Sequence, residues 1–177
     1  MPLQFNVATL LTEPIGSTRE YDVDGNILID GEQPQHLHIA GGATLLRTKH
    51  GVLVSAQLEG AQPGQCSRCL RDIELPLHIR FQEEFFASID PETGARLPKP
   101  DDPEAFVIDA HHLLDLEEAV RQYWTAGLPM QPLCSSDCRG LCPTCGKDLN
   151  EGPCACPPDD DSRWQALRGL ARELETG

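Results

Sequence analysis

Eight cysteines are the residues of this sequence best suited to chemistry, and they occur in four close pairs. Six lie between residues 134 and 156, and the other two form Cys66-Ser67-Arg68-Cys69 far upstream. In a CxxC turn both thiolates can point at one metal ion, and a following glycine lets backbone N–H groups approach the sulfurs. Four pairs match two tetrahedral sites of four thiolates each. The predicted metal ligands are Cys66, Cys69, Cys134, Cys138, Cys142, Cys145, Cys154 and Cys156.

Sites of this kind are structural, because four thiolates leave no coordination position for a substrate. The segment 146–156 has almost no apolar side chain to bury, so packing alone would not order it against chain entropy. Zinc bound to a small thiolate site can supply on the order of 10 kcal/mol or more. We therefore expect zinc to stabilise this part of the chain, as two structural ions or at least one.

The spacing leaves two allocations of ligands open. In the first arrangement, Cys142, Cys145, Cys154 and Cys156 hold one ion, and a second ion joins Cys66 and Cys69 to Cys134 and Cys138. In the second arrangement, Cys134, Cys138, Cys142 and Cys145 share one zinc. The remaining cysteines then stay free or bind more weakly, and Cys66 and Cys69 would be a pair of free, half-buried thiols. The first arrangement is favoured, because it uses every pair and explains the distant Cys66 and Cys69.

Other cysteine chemistries fit the pattern less well. Disulfides are expected in secreted chains, and no signal peptide is visible in MPLQFNVATL, so we expect a cytoplasmic protein. A single CxxC pair can be a redox couple, but four close pairs favour a metal. An iron–sulfur cluster is a further alternative, since its ligands are also thiolates.

Basic residues are few, and several lie beside the cysteines: Arg68, Arg71, Arg139 and Lys147. One interpretation is structural, because a zinc ion with four thiolates carries a net double negative charge that these cations would neutralise. The other interpretation is functional, as a small patch that contacts RNA phosphates or a protein partner. The sequence does not separate the two.

The remaining composition restricts the function classes. A formal charge of −14 and a pI near 4.7 argue against extensive nucleic-acid binding and favour a basic protein partner. No nucleophile motif, P-loop or dinucleotide fingerprint is present, so we expect no enzyme activity and no small-molecule substrate. No stretch approaches the roughly 20 apolar residues of a membrane span.

The first half of the sequence predicts β-structure that must position the upstream cysteine pair. We expect a first strand from Phe5 to Leu10, a turn at Asp24-Gly25 and a hairpin at residues 49–51. A further turn at Gln62-Pro63-Gly64 would lead into the cysteine pair. Residues 73–81 alternate strictly between apolar and polar side chains, which indicates a strand, with Pro76 at an edge or a bulge.

Two helices are predicted in the second half. Leu116, Ala119, Val120, Tyr123 and Trp124 share one apolar face, with Asp115 as cap and Glu118 as its capping-box partner. Residues 162–174 have a second capping box and apolar stripe. The predicted fold is α+β: an antiparallel β-rich domain at residues 1–130, as a partly open barrel or meander, with the CxxC turn and a packed helix. Residues 131–177 then form the cysteine zinc module and a terminal helix.

These motifs together resemble the bacterial YceD family. The resemblance rests on Cys66-Ser67-Arg68-Cys69-Leu70, the run LPMQPLC at residues 128–134, the block CRGLCPTCGKDLNEGPCAC at residues 138–156 and the closing SRWQALRGL. It covers the chain from about Cys66 onward. The block at residues 138–156 is its most specific part.

The resemblance implies an accessory factor that promotes accumulation or maturation of 23S rRNA in large-subunit biogenesis, without established enzyme chemistry. It also implies association with large-subunit ribosomal proteins or a pre-ribosomal particle, and contact with 23S rRNA over at most a small footprint. Two other hypotheses remain from the residues alone. One is a general zinc-dependent protein-interaction module, for example of the transcription machinery, and the other is a thiol-redox protein.

Overall fold

The computed structural model describes residues 3–29 and 34–157 and divides into two compact units. The first unit comprises residues 1–64 and 72–132, and the second comprises residues 65–71 and 133–177. The division after Pro132 lies close to the expected boundary at residue 130. However, the turn with Cys66 and Cys69 falls in the second unit, although it connects two strands of the first.

The described residues form seven strands and two α-helices in a strand-rich α+β order. In chain order they are β1 (Gln4–Asn6), α1 (Ala8–Thr12), β2 (Thr18–Ile29), β3 (Gln35–Arg47), β4 (Gly51–Gln65), β5 (Asp72–Ala87), β6 (Val107–Ile108), β7 (Leu113–Asp115) and α2 (Glu117–Gly127), followed by a 3-10 helix, Leu149–Glu151. This order confirms the predicted fold class, and the hairpin at residues 49–51 lies between β3 and β4 as expected. The predicted terminal helix at residues 162–174 lies outside the described residues.

Five strands form one mixed sheet in the order β2-β3-β4-β5-β6, and β1 and β7 form a separate antiparallel pair. β3 is antiparallel to both β2 and β4, whereas β6 is parallel to β5. β6 pairs with β5 only at Phe86 and Ala87, so Pro76 lies in the part of β5 that β6 does not reach. That position suits a residue without a backbone donor.

Three local predictions were wrong. Asp24-Gly25 is not a turn, because both residues lie inside β2, where they oppose Ala40 and Ile39 of β3. Residues 62–64 continue β4 instead of turning. Leu10 belongs to helix α1 rather than to the first strand, because Val7, Leu10 and Leu11 have helical spacing and all three are buried.

Helix α2 packs against β5 and β2, which are not adjacent in the sheet. Strands lie about 4.8 Å apart, so a helix about 10 Å wide can contact both only if the sheet curls around it. The predicted apolar face is confirmed: Ala119, Val120 and Trp124 are fully buried, and Tyr123 stacks on Phe81 with ring centroids 4.8 Å apart.

The predicted start of α2 is only partly correct. Asp115 accepts a hydrogen bond from the backbone N–H of Glu117 at 2.9 Å. However, Glu118 bonds to Arg121 and Gln122 and does not return to the cap, so no capping box forms. Within the part of the chain that the structure describes, no helix is long and apolar enough to cross a membrane.

Candidate metal centres

The first cluster of thiols joins two segments that are far apart in the sequence. Its four Sγ atoms lie within 4.8 Å of one another and belong to Cys66, Cys69, Cys134 and Cys138. The Cys66–Cys138 Sγ distance is 3.8 Å, and the Cys69–Cys134 Sγ distance is 3.6 Å. A tetrahedral zinc site with Zn–S bonds of about 2.3 Å has sulfurs about 3.8 Å apart. The geometry therefore fits a tetrahedral ion, and all four thiols are free.

The second cluster lies within the C-terminal segment. Its Sγ atoms belong to Cys142, Cys145, Cys154 and Cys156 and also lie within 4.8 Å of one another, with Cys142 and Cys154 separated by 3.3 Å. The two clusters have the grouping of the first arrangement predicted from the sequence. The second arrangement is not the one that the structure assembles.

The two CxxC turns have the same backbone hydrogen bonds. Leu70 N–H donates to the Cys66 carbonyl, and Gly146 N–H donates to the Cys142 carbonyl, both at 2.9 Å. The amide of each first cysteine donates to a carbonyl five residues later: Cys66 to Arg71 at 2.9 Å and Cys142 to Lys147 at 2.8 Å. Each turn therefore holds its two sulfurs on one side as a preformed half of a metal site.

The pKa is lowered for some thiols of the clusters and raised for others. The N–H of Cys69 lowers the pKa of Cys66 to about 6, and the N–H of Cys145, with that of Thr144, lowers the pKa of Cys142 to about 6. For Cys69, the Arg71 N–H favours the thiolate, but burial and the thiols of Cys66, Cys134 and Cys138 outweigh it and raise the pKa to about 12. Without a cation, a second thiolate beside the first is unfavourable, and a divalent ion removes that repulsion.

Sequence reasoning missed two polar residues that connect the second turn to the first cluster. Asn150 donates from Nδ2 to the Cys138 Sγ at 3.5 Å and accepts the Arg139 N–H at 2.8 Å. Asp148 accepts the Asn150 N–H at 2.8 Å and pairs with Arg71 at 3.1 Å. An Asp or Asn side chain commonly accepts a hydrogen bond from the backbone N–H two residues later. The sequence Asp148-Leu149-Asn150 has that spacing and is the signal that could have identified both residues. Such partners orient metal ligands.

The four basic residues chosen from the sequence all lie in the second unit. Arg68 donates from Nη1 to the Cys138 carbonyl at 2.8 Å, and Lys147 donates from Nζ to the Pro153 carbonyl at 3.1 Å. Arg71 pairs with Asp148, and Arg139 contributes its backbone N–H to Asn150. Three of the four side chains therefore bind within the unit, which agrees with the structural interpretation.

Fold and site together define a class: β-rich proteins that carry a separate unit with two four-cysteine clusters. The sequence model of "Large ribosomal RNA subunit accumulation protein YceD" matches residues 54–171, about two thirds of the chain. The matched range contains both clusters. The chain belongs to the YceD family.

Curated relatives are mycobacterial and uncharacterized. The chain is 31% identical over 117 residues to the uncharacterized proteins Rv2926c of Mycobacterium tuberculosis and Mb2951c of Mycobacterium bovis, which covers 66% of this chain and 54% of each relative. It is 29% identical over 115 residues to ML1660 of Mycobacterium leprae, covering 65% of this chain and 50% of the relative. The chain thus spans about half the length of the curated relatives it matches. No solved structure matches it.

Proposed function

We propose that this protein is a non-catalytic accessory factor, stabilised by two zinc ions, that promotes 23S rRNA accumulation during large-subunit assembly in the cytoplasm. The observation that carries the proposal is family membership across residues 54–171. The matched range contains all eight cysteines of the two clusters, together with residues 72–132 of the first unit.

Zinc is the metal that the donor set supports best. Thiolate-only tetrahedral sites suit zinc or iron–sulfur centres, and structural zinc sites commonly pair CxxC turns of the kind formed at Cys66–Cys69 and Cys142–Cys145. Both clusters supply four sulfurs, so neither ion would keep an open position for a substrate. The proposed role of the ions is to fold the second unit.

The distribution of charge supports a basic protein partner. The described residues of the first unit carry eighteen Asp and Glu against seven Lys and Arg, whereas those of the second carry three against four. An acidic β unit attracts basic ribosomal proteins and repels RNA phosphates. Any contact with 23S rRNA would then involve the second unit over a small footprint.

Deletion of the gene tests the proposed function. We expect the ratio of 23S to 16S rRNA to fall and to recover when the wild-type protein is supplied from a plasmid. A plasmid-borne Cys142→Ser/Cys145→Ser variant should restore the ratio poorly, because the second unit loses a metal site. An unchanged ratio in the deletion strain, under slow growth and in rich medium, would contradict the proposal.

Affinity capture tests whether the protein binds large-subunit ribosomal proteins. The tagged full chain should retain large-subunit ribosomal proteins in a manner that weakens with salt, since the attraction is electrostatic. Capture without ribosomal protein or rRNA would instead favour a general zinc-dependent interaction module.

Combined substitution of Arg68, Arg71 and Arg139 tests direct RNA contact. If these cations bind phosphates, the variant binds RNA more weakly and with a flatter dependence on salt. A loss of thermal stability with unchanged RNA binding would show that they serve only the cysteine clusters, as the Arg68–Cys138 hydrogen bond suggests.

A further inference from the structure

The two cysteine clusters differ in their access to solvent. Three cysteines of the first cluster are nearly inaccessible, with exposed fractions of 0% for Cys66, 7% for Cys69 and 2% for Cys138, and the fourth, Cys134, is half-exposed. In the second cluster only Cys142 is buried, Cys145 is exposed, and Cys154 and Cys156 are half-exposed. The second turn is also open at its tip, because a Cβ built at Gly146 would meet no atom within 4 Å.

Access matters because a thiolate must reach an oxidant in order to react with it. Neighbouring sulfurs must also be close enough to form a disulfide without large movement of the chain. In the second cluster the Cys142 and Cys154 Sγ atoms are only 3.3 Å apart, and the CxxC turn places Cys145 within the same 4.8 Å. An exposed attacking sulfur and nearby resolving sulfurs therefore occur together in this cluster.

We propose that the second cluster is an oxidant-sensitive switch that releases its metal as a disulfide forms, while the first cluster keeps its ion. The inference deepens the proposed function, since it rests on zinc at both clusters. The co-reactant is a peroxide. The protein would then have two stable forms. In one form both clusters hold an ion, and in the other the second cluster is oxidised and only the ion of the first cluster stabilises the second unit.

The reaction balances with hydrogen peroxide. The Cys145 thiolate attacks one peroxide oxygen, the O–O bond breaks, and Cys145 becomes a sulfenic acid as hydroxide leaves. A second thiolate of the cluster attacks that sulfur and displaces the oxygen as a second hydroxide, which forms the disulfide. Two protons from solvent convert the hydroxides to water. The two remaining thiolates no longer hold zinc firmly, so Zn²⁺ departs.

Zinc release from the isolated full chain tests the switch. Hydrogen peroxide is added to the metallated protein in the presence of a chromogenic zinc chelator, and disulfides are then mapped by mass spectrometry. We expect release of one of the two ions at a rate about ten times that of the other, because thiolate oxidation follows exposure. The new disulfide should lie among Cys142, Cys145, Cys154 and Cys156 only. Release of both ions together, or a disulfide in the first cluster, would overturn the inference.

Two matched variants, each with one cluster intact, measure the peroxide sensitivity of each cluster separately. Cys66→Ser/Cys69→Ser should retain one ion and lose it to peroxide at the fast wild-type rate. Cys142→Ser/Cys145→Ser should retain one ion that resists peroxide. Equal rates in the two variants would contradict the switch. A wild-type protein that contains no zinc would instead contradict zinc stabilisation itself, so the two failures are distinguishable.

Discussion

Leu70 and Gly146 occupy the same position in the two CxxC turns. Both have positive φ, at 57° and 72°, and both donate to the carbonyl of the first cysteine in the turn at 2.9 Å. The left-handed region is available to glycine without steric cost, whereas a leucine there is strained. The first turn therefore carries backbone strain that the second turn avoids, although their hydrogen bonds are the same.

Replacement of Leu70 should relieve that strain. Leu70 is 55% exposed, so a glycine loses little packing. We expect Leu70→Gly to raise the free energy of unfolding of the second unit by about 0.5–1 kcal/mol, after allowing for the greater chain entropy of glycine. Gly146→Leu is the matched control and should lower the free energy of unfolding, because it places a leucine at positive φ. Chemical denaturation of the metallated protein measures both, and a destabilised Leu70→Gly would show that the leucine side chain contributes contacts worth more than the strain.

The metal content of the protein is expected to depend on the upstream cysteine pair. We predict two zinc ions per wild-type chain and one in Cys66→Ser/Cys69→Ser, because those thiols supply half of the first cluster. Native mass spectrometry counts the ions. A Ser67→Ala variant, which leaves all eight thiols intact, should keep two. One ion in both the wild-type protein and Cys66→Ser/Cys69→Ser would exclude a metal at the first cluster.

Metal removal should unfold the second unit and spare the first. The buried apolar core, which includes Ile39, Leu45 and Trp124, lies entirely in the first unit. The second unit has no comparable core among the described residues and depends on its clusters. After treatment with a zinc chelator, NMR signals of the Ile39 and Leu45 methyl groups should persist while amides of residues 138–156 collapse toward random-coil shifts. Loss of both sets of signals would show that the β unit also requires the metal.

Stability should fall at high pH through Tyr123. Its hydroxyl donates to the Glu83 carboxylate at 2.5 Å, and this bond, together with burial and the charge of Glu83, raises the phenol pKa. A raised pKa means that the folded state favours the protonated phenol. The resulting stabilisation is complete below the unfolded value of about 10 and is lost as pH rises through the folded value.

Ultraviolet titration of tyrosinate in a Tyr21→Phe background measures the pKa of Tyr123 alone. Glu83→Gln should lower it, since the amide can still accept the hydrogen bond but carries no charge. If the titration of Tyr123 is the same in both proteins, the Glu83 contact does not persist in solution.

Local patterns in the sequence were sufficient for much of the architecture. Strict alternation from Ile73 to Phe81 predicted β5, and the spacing of Ala119, Val120 and Trp124 predicted the buried face of α2, because each pattern reports which side of one element meets the core. Turn-forming residues misled at Asp24-Gly25, where pairing with β3 outweighed the local preference.

The cysteine sites likewise depend partly on the sequence and partly on the tertiary structure. Eight thiols in close pairs were enough to predict four-sulfur metal sites, because ligand type and short spacing are properties of the chain. Only the tertiary structure decided which pairs combine. Cys66 and Cys138 are 72 positions apart, and nothing in their local sequence brings their sulfurs to 3.8 Å. The fold does so, since the β4–β5 loop groups with the C-terminal segment rather than with its own strands.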